Sequence, residues 1–251
     1  MVAIILIVIL VIIGYVLFKM YSSNKKIENY QFSDEELEIV ETFKEIKLQP
    51  TIGNPYTIVK WKSSISIYVE NLDSADYMPK YILLAIENLN KIIPKNQISI
   101  KLTDGQLESN VVLYIGERDD VEKKVPTLLY DVEDDIFGYT ELEIYDRNNT
   151  IYRSRIFIES GATYEEQFST FLEEMMHCVG FVGHTENPKS ILFEERDEMN
   201  ITEYNDFDAS LIRLLYHPEM YTGLNASGVE KAAKKIFMKD KLRPCSKNVD
   251  L

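Results

Sequence analysis

Residues 172–184 of the 251-residue chain read LEEMMHCVGFVGH, and among its sequence features this cluster alone has ligand-like spacing. Glu173 and His177 stand four apart, which puts both on one face of a helix, and His184 follows where a chain that turns back could return it. The three form a candidate zinc ligand set, and Glu174, beside the first, is then the general base that takes a proton from water. The same side chains also read as a helix ion pair worth about 0.2–0.5 kcal/mol. Cys178 adjoins His177 but points about 100° further around the helix, so a small buried core residue is expected rather than a Cys-His nucleophile pair. His217, just before Pro218 at a helix end, is accounted for by its charge at that terminus.

The elements that must carry these residues are legible in outline. Ser33 and Glu36 make a capping box, and Leu37, Val40, Phe43 and Ile46 follow at helical spacing, so a first helix is expected over 34–46. Gln49, Pro50, Gly53 and Pro55 end it. Residues 57–70 alternate and are β-branched, which predicts a long strand or a hairpin centred on Lys62, Ser63 and Ser64. A helix follows from Pro79 to Pro94, then strands at 97–102, 111–116, 139–145 and 150–158, the last two joined by the turn sequence of residues 146–149. The acidic stretch 117–135 lacks the ligand offsets and central glycine of a calcium loop and is expected as a solvated loop. Helices are predicted over 163–179, 206–216 and 229–238. This order predicts an α+β domain without internal repeats.

Residues 2–18 contain no charge and no strong polar group, enough for about 25 Å of helix, near the short limit for crossing a bilayer. Positive charge before the run and small residues after it are missing, so an uncleaved single-pass anchor is expected over a signal peptide. Lys19, Lys25 and Lys26 follow the run and none precedes it, which predicts a cytoplasmic domain. The parts expected are an anchor over 1–20, a period-free tether over 21–32, an N-terminal helix and connection over 33–56, the main domain over 57–240 and a tail over 241–251. The formal charge is -14, and removing the first 29 residues leaves the remainder more acidic still, which excludes nucleic acid as a general partner. Two cysteines, Cys178 and Cys245, build no disulfide scaffold, and a chain that is 45% apolar, with 16 Tyr and 11 Phe, is not disordered.

The helix at 163–179 resembles the zinc-binding helix of the metzincins, with Glu173, Glu174 and His177 at the matching positions and the pattern's first histidine absent. Gly180 matches the glycine that permits the sharp helix exit, in a left-handed conformation. The usual interval for a third ligand falls on Gly183, one residue before His184. Ser190, Ile191, Leu192 and Phe193 resemble a Met-turn with leucine in place of methionine. Residues 201–218, ITEYNDFDASLIRLLYHP, are similar to the helix that closes metzincin domains. A closer resemblance, over about residues 57–235, is to the bacterial domain-of-unknown-function family 2927. Its pattern also has two adjacent glutamates, a glycine three residues past the second ligand position, and an acidic helix ending Leu-Leu-Tyr-x-Pro. That family commonly carries glutamine where this chain has His177, so metal binding stays open. The resemblance implies a metzincin-like α+β domain with a degenerate zinc helix, acting as a non-catalytic binding or scaffolding module for a peptide or protein in its groove and needing no cofactor. The alternative it implies is a zinc metallopeptidase using Glu173, His177 and His184 as ligands and Glu174 as base. Glu194, Glu195, Asp197 and Glu198 would rim that groove and favour basic ligands. A third possibility is a structural domain whose interface lies elsewhere.

Overall fold

A computed structural model describes residues 2–49, 56–71, 78–130, 132–133, 136–194 and 201–240. Pro50, Gly53 and Pro55, three acids of the 117–135 stretch (Asp131, Asp134, Asp135), the rim residues Glu195, Asp197 and Glu198, and the 241–251 tail lie outside them.

The apolar run begins a 27-residue helix, α1 (Val2–Glu28). Within it, Val8–Glu28 is long and apolar enough to cross a membrane. The segment expected as a tether is therefore mostly helical: α1 continues to Glu28, and Ile27 is already buried. Beyond it Tyr30 and Phe32 pack on the domain, Phe32 edge-to-face on Phe237 at 6.0 Å. Two lysines and a serine pair look polar in a linear reading, yet Ile27, Tyr30 and Phe32 give the segment a face to bury.

Helix α2 (Asp34–Lys47) starts at the capping box, where Ser33 accepts from the Glu36 amide and Glu36 returns the bond to the Ser33 amide. Its Ile39, Val40, Phe43 and Ile46 are fully buried in the same core as the rest, so α2 belongs to the domain and is not an appendage before it.

The expected hairpin at 57–70 is instead two separate strands, β1 (Lys60–Trp61) and β2 (Ile65–Asn71), that do not pair with each other. Next come α3 (Met78–Ile92), β3 (Ile100–Leu102) and β4 (Val111–Gly116). The solvated loop expected over 117–135 contains a short helix, α4 (Arg118–Lys124), because Val121 has core to cover and Asp119 and Asp120 suit a first turn. Strands β5 (Gly138–Tyr145) and β6 (Thr150–Glu159) form the antiparallel hairpin. Helices α5 (Tyr164–Cys178), α6 (Asp206–Leu215) and α7 (Ala226–Asp240) complete the chain.

The α+β class holds, with one detail the sequence did not disclose: every strand pair except β5 with β6 is parallel. One edge of β6 carries β5, while the other carries β4 with β1 beside its first two residues. From β4 the sheet continues to β2 and β3. β5 is thus an edge strand, with α5 lying across β5 and β6.

Candidate functional site

Helix α5 is fixed at both ends before any chemistry is considered. Thr163 and Glu166 form a capping box at its start. Its exit is a Schellman turn: Phe181 N–H donates to Met176 O at 3.2 Å and Gly180 N–H to His177 O at 2.9 Å. Gly180 has φ +120, the left-handed conformation expected from the sequence, and a β-carbon there would sit 3.3 Å from Val59 O. The next three carbonyls each receive a donor from a different element. Trp61 Nε1 on β1 donates to Cys178 O at 2.7 Å, Tyr216 Oη at the end of α6 to Val179 O at 2.7 Å, and Lys47 Nζ on α2 to Gly180 O. Lys47 is 1% exposed, and burial lowers its pKa to about 7 with the nearby Lys60 adding to the effect.

This turn brings the ligand candidates together. One ligand atom from each of Glu173, His177 and His184 lies within 4.8 Å of the others. The imidazoles meet edge-to-face at 4.9 Å, and His184 Nε2 stands 3.2 Å from Glu173 Oε1. His177 Nδ1 is 2.8 Å from Phe181 O. A carbonyl oxygen only accepts, so Nδ1 carries the proton and the neutral ring leaves Nε2 as a lone pair. Burial lowers the His177 pKa and His184 lowers it further, against the Phe181 carbonyl and Glu173, so the neutral form is favoured.

Glu174 is 7% exposed and its Oε2 has no hydrogen-bond partner. Burial raises its pKa to about 8, the Glu173 charge adds to this, and the Thr140 hydroxyl opposes it. It can be buried so tightly against β5 because residue 138 is glycine: a β-carbon there would fall 2.4 Å from Thr170 Cγ2 and 2.9 Å from Glu174 Oε1.

His184 is held by the loop around it. Val182 and Gly183 N–H donate to Ile46 O, and Thr185 Oγ1 donates to Glu45 at 2.5 Å. Thr185 also exchanges backbone bonds with the 190–194 segment, donating to Leu192 O and accepting from Glu194 N–H. That segment is a tight turn pinned by buried Asp208 of α6, whose Oδ1 accepts from Ser190 Oγ at 2.9 Å and Ile191 N–H at 3.0 Å. Leu192 is completely buried, a packing residue.

A groove of about 760 Å³ opens over Glu173, Glu174, His177 and His184, walled by the start of β5 and by Val132, Glu133, Ile136 and Phe137. Of the predicted rim acids, Glu194 lines it. Cys178 is buried as expected, and burial raises its thiol to about 12. His217 is elsewhere, its Nδ1 accepting from the Glu219 amide at 3.1 Å. No local pattern marks Lys47, which looks like an ordinary lysine in a last helical turn; Tyr216 belongs to the Leu-Leu-Tyr-x-Pro pattern, but its bond to Val179 O has no local signal. Gly138, one residue before the strand expected at 139, could have been found as a glycine at a strand end, a pattern that marks close backbone approach.

No curated protein matches the chain. A family model described as "Protein of unknown function (DUF2927)" matches residues 36–235, which begins within α2 and so includes elements placed before the domain on sequence alone. With most of its length covered, from α2 through α7, the chain belongs to this family.

Proposed function

We propose that the protein is a membrane-anchored domain that binds a divalent metal through Glu173, His177 and His184 and hydrolyses peptides, with Glu174 as general base. The observation that carries this reading is the convergence of the three ligand atoms, with His177 already oriented by the Phe181 carbonyl. Two imidazoles and a carboxylate suit zinc. Bound zinc would supply a Lewis acid that polarises a carbonyl and acidifies water. Glu174 supports the rest: it is among the residues that line the groove, and its buried Oε2 has no hydrogen-bond partner among the described residues, which leaves the carboxyl free to take a proton. Burial raises the pKa of its carboxyl to about 8, and positive charge beside it would favour the ionised form. The outer edge of β5, unpaired among the described residues, offers main-chain groups to an extended peptide beside these side chains. The glycine exit, the turn at 190–193 and its tie to α6 are the features that support a metzincin-like arrangement. Exposed apolar residues from Val8 to Phe18 support the anchor, and the lysines after them a cytoplasmic domain.

A second reading is the non-catalytic binding module. Its support is the contact between His184 Nε2 and Glu173 Oε1, which satisfies both groups without an ion, and the negative charge a carboxylate ligand adds, which weakens a metal's effect on water.

Full-length protein supplied with zinc and a quenched fluorescent peptide library separates the two. Turnover is expected, and Glu174→Gln should lower it at least a hundredfold while metal content is unchanged. Absence of turnover by zinc-loaded wild type would leave the binding module.

A further inference from the structure

The groove is also notable for what its charged lining lacks. Four acids face it, Glu133, Glu173, Glu174 and Glu194, and among the described residues no lysine or arginine does. Glu133 and Glu194 are exposed and have no cationic partner among the described residues. Such acids alone would be a solvated rim. Glu174 is different: a residue 7% exposed that lines the groove, with a buried oxygen that none of the described residues satisfies. A buried polar group without a partner costs about 1–3 kcal/mol, which a ligand that donates to it recovers. The lining also has an apolar part, with Val132, Ile136 and Phe137. Arg118 holds its first residue, donating to Val132 O at 2.8 Å and to Glu133 O at 2.6 Å while its Nε pairs with Glu122.

From this combination we infer that the groove selects peptides carrying lysine or arginine. A basic side chain has an aliphatic stem that suits Val132, Ile136 and Phe137 and a cationic head that suits the carboxylates of the lining. An acidic side chain would enter a groove with nothing to pair it, and a purely apolar one would leave the carboxylates unmatched. The inference rests on the reading that a peptide occupies the groove, and it adds which peptide.

The test uses the full-length chain in detergent and fluorescein-labelled nonapeptides, identical except for a central lysine, arginine, norleucine or glutamate. Binding is read by anisotropy with and without zinc, and cleavage is followed in parallel. Lysine and arginine peptides should bind at least tenfold more tightly than the norleucine peptide at low salt, with glutamate weakest, and the gap should shrink as salt rises. The combined Glu133→Gln and Glu194→Gln variant, its fold checked by circular dichroism, should bring the lysine peptide to within about threefold of norleucine. Equal binding of lysine and norleucine peptides, preference for glutamate, no binding of any peptide, or a basic preference that survives the double variant would each overturn the inference. Cleavage without basic preference overturns it while leaving the hydrolytic reading intact. Basic preference without cleavage upholds it and removes the hydrolytic reading.

Discussion

The end of α5 and the face of α5 that looks into the groove lie within two turns of each other, yet they treat polar groups in opposite ways. At the exit every carbonyl from Met175 to Gly180 has a donor, three of them side chains from three other elements. On the groove face Glu174 keeps a buried oxygen without a partner, and Glu173, His177 and His184 crowd their ligand atoms together. A protein interior ordinarily satisfies its buried polar groups. Where one region does so completely and its neighbour does not, the first is scaffold and the second is where the proposed ligand would bind. The burial of two lysines belongs to the scaffold. Lys47 caps α5, and Lys60 donates to Leu215 O at 2.9 Å and Met220 O at 2.5 Å at the end of α6.

That contrast can be broken at its strongest point by Gly180→Val. The φ of +120 and the carbonyl of Val59 3.3 Å from any β-carbon make this the most damaging change, expected to cost about 3 kcal/mol or more in denaturant unfolding. A melting curve unchanged from wild type would mean that the exit turn is not what holds His184.

The scaffold lysines give the next largest effect. Burial lowers the Lys60 pKa to about 8, and Lys62 adds to it. Between about pH 8 and the ordinary lysine value of 10.5 the unfolded chain holds one more proton than the folded one, so this lysine makes stability rise with pH across that window. From pH 8 to 9.5 the rise should be about 2 kcal/mol steeper in wild type than in Lys60→Met. Glu174 acts in the opposite sense, but between its ordinary pKa of 4.5 and about 8, below this window. Parallel pH profiles for the two proteins would place a fixed charge on the folded-state amine.

The smallest expected effect sharpens the other side of the comparison. Replacing Glu174 by Met should raise the stability of the metal-free protein by about 1 kcal/mol, since it removes an unsatisfied buried group while keeping the shape of the side chain. Destabilisation of that size would show that the carboxyl is part of the scaffold after all.

The parts of this arrangement that were legible in the sequence are those written in local spacing. Ser33 with Glu36, the four-residue interval from Glu173 to His177, and Gly180 as a left-handed exit all read correctly, because caps and helix faces are set by neighbours in the chain. What was illegible depends on partners that are distant in the chain. Residues 57–70 alternate like a hairpin, but the backbone bonds of β1 go to β6 and those of β2 to β3 and β4, so the two halves never meet. The 21–32 segment reads as polar until α7 provides a surface for Ile27, Tyr30 and Phe32. Lys47 is indistinguishable from a surface lysine until Gly180 O is placed above it.

Metal content tests the central claim most directly. Full-length protein is purified, exposed to zinc, dialysed, and measured by mass spectrometry alongside His177→Ala, His184→Ala and Glu174→Gln. The account predicts about one zinc per chain in wild type and in Glu174→Gln, and loss of it in both histidine variants. Wild-type protein that dialyses free of zinc, or histidine variants that retain it, would contradict the assignment of Glu173, His177 and His184 as a metal centre.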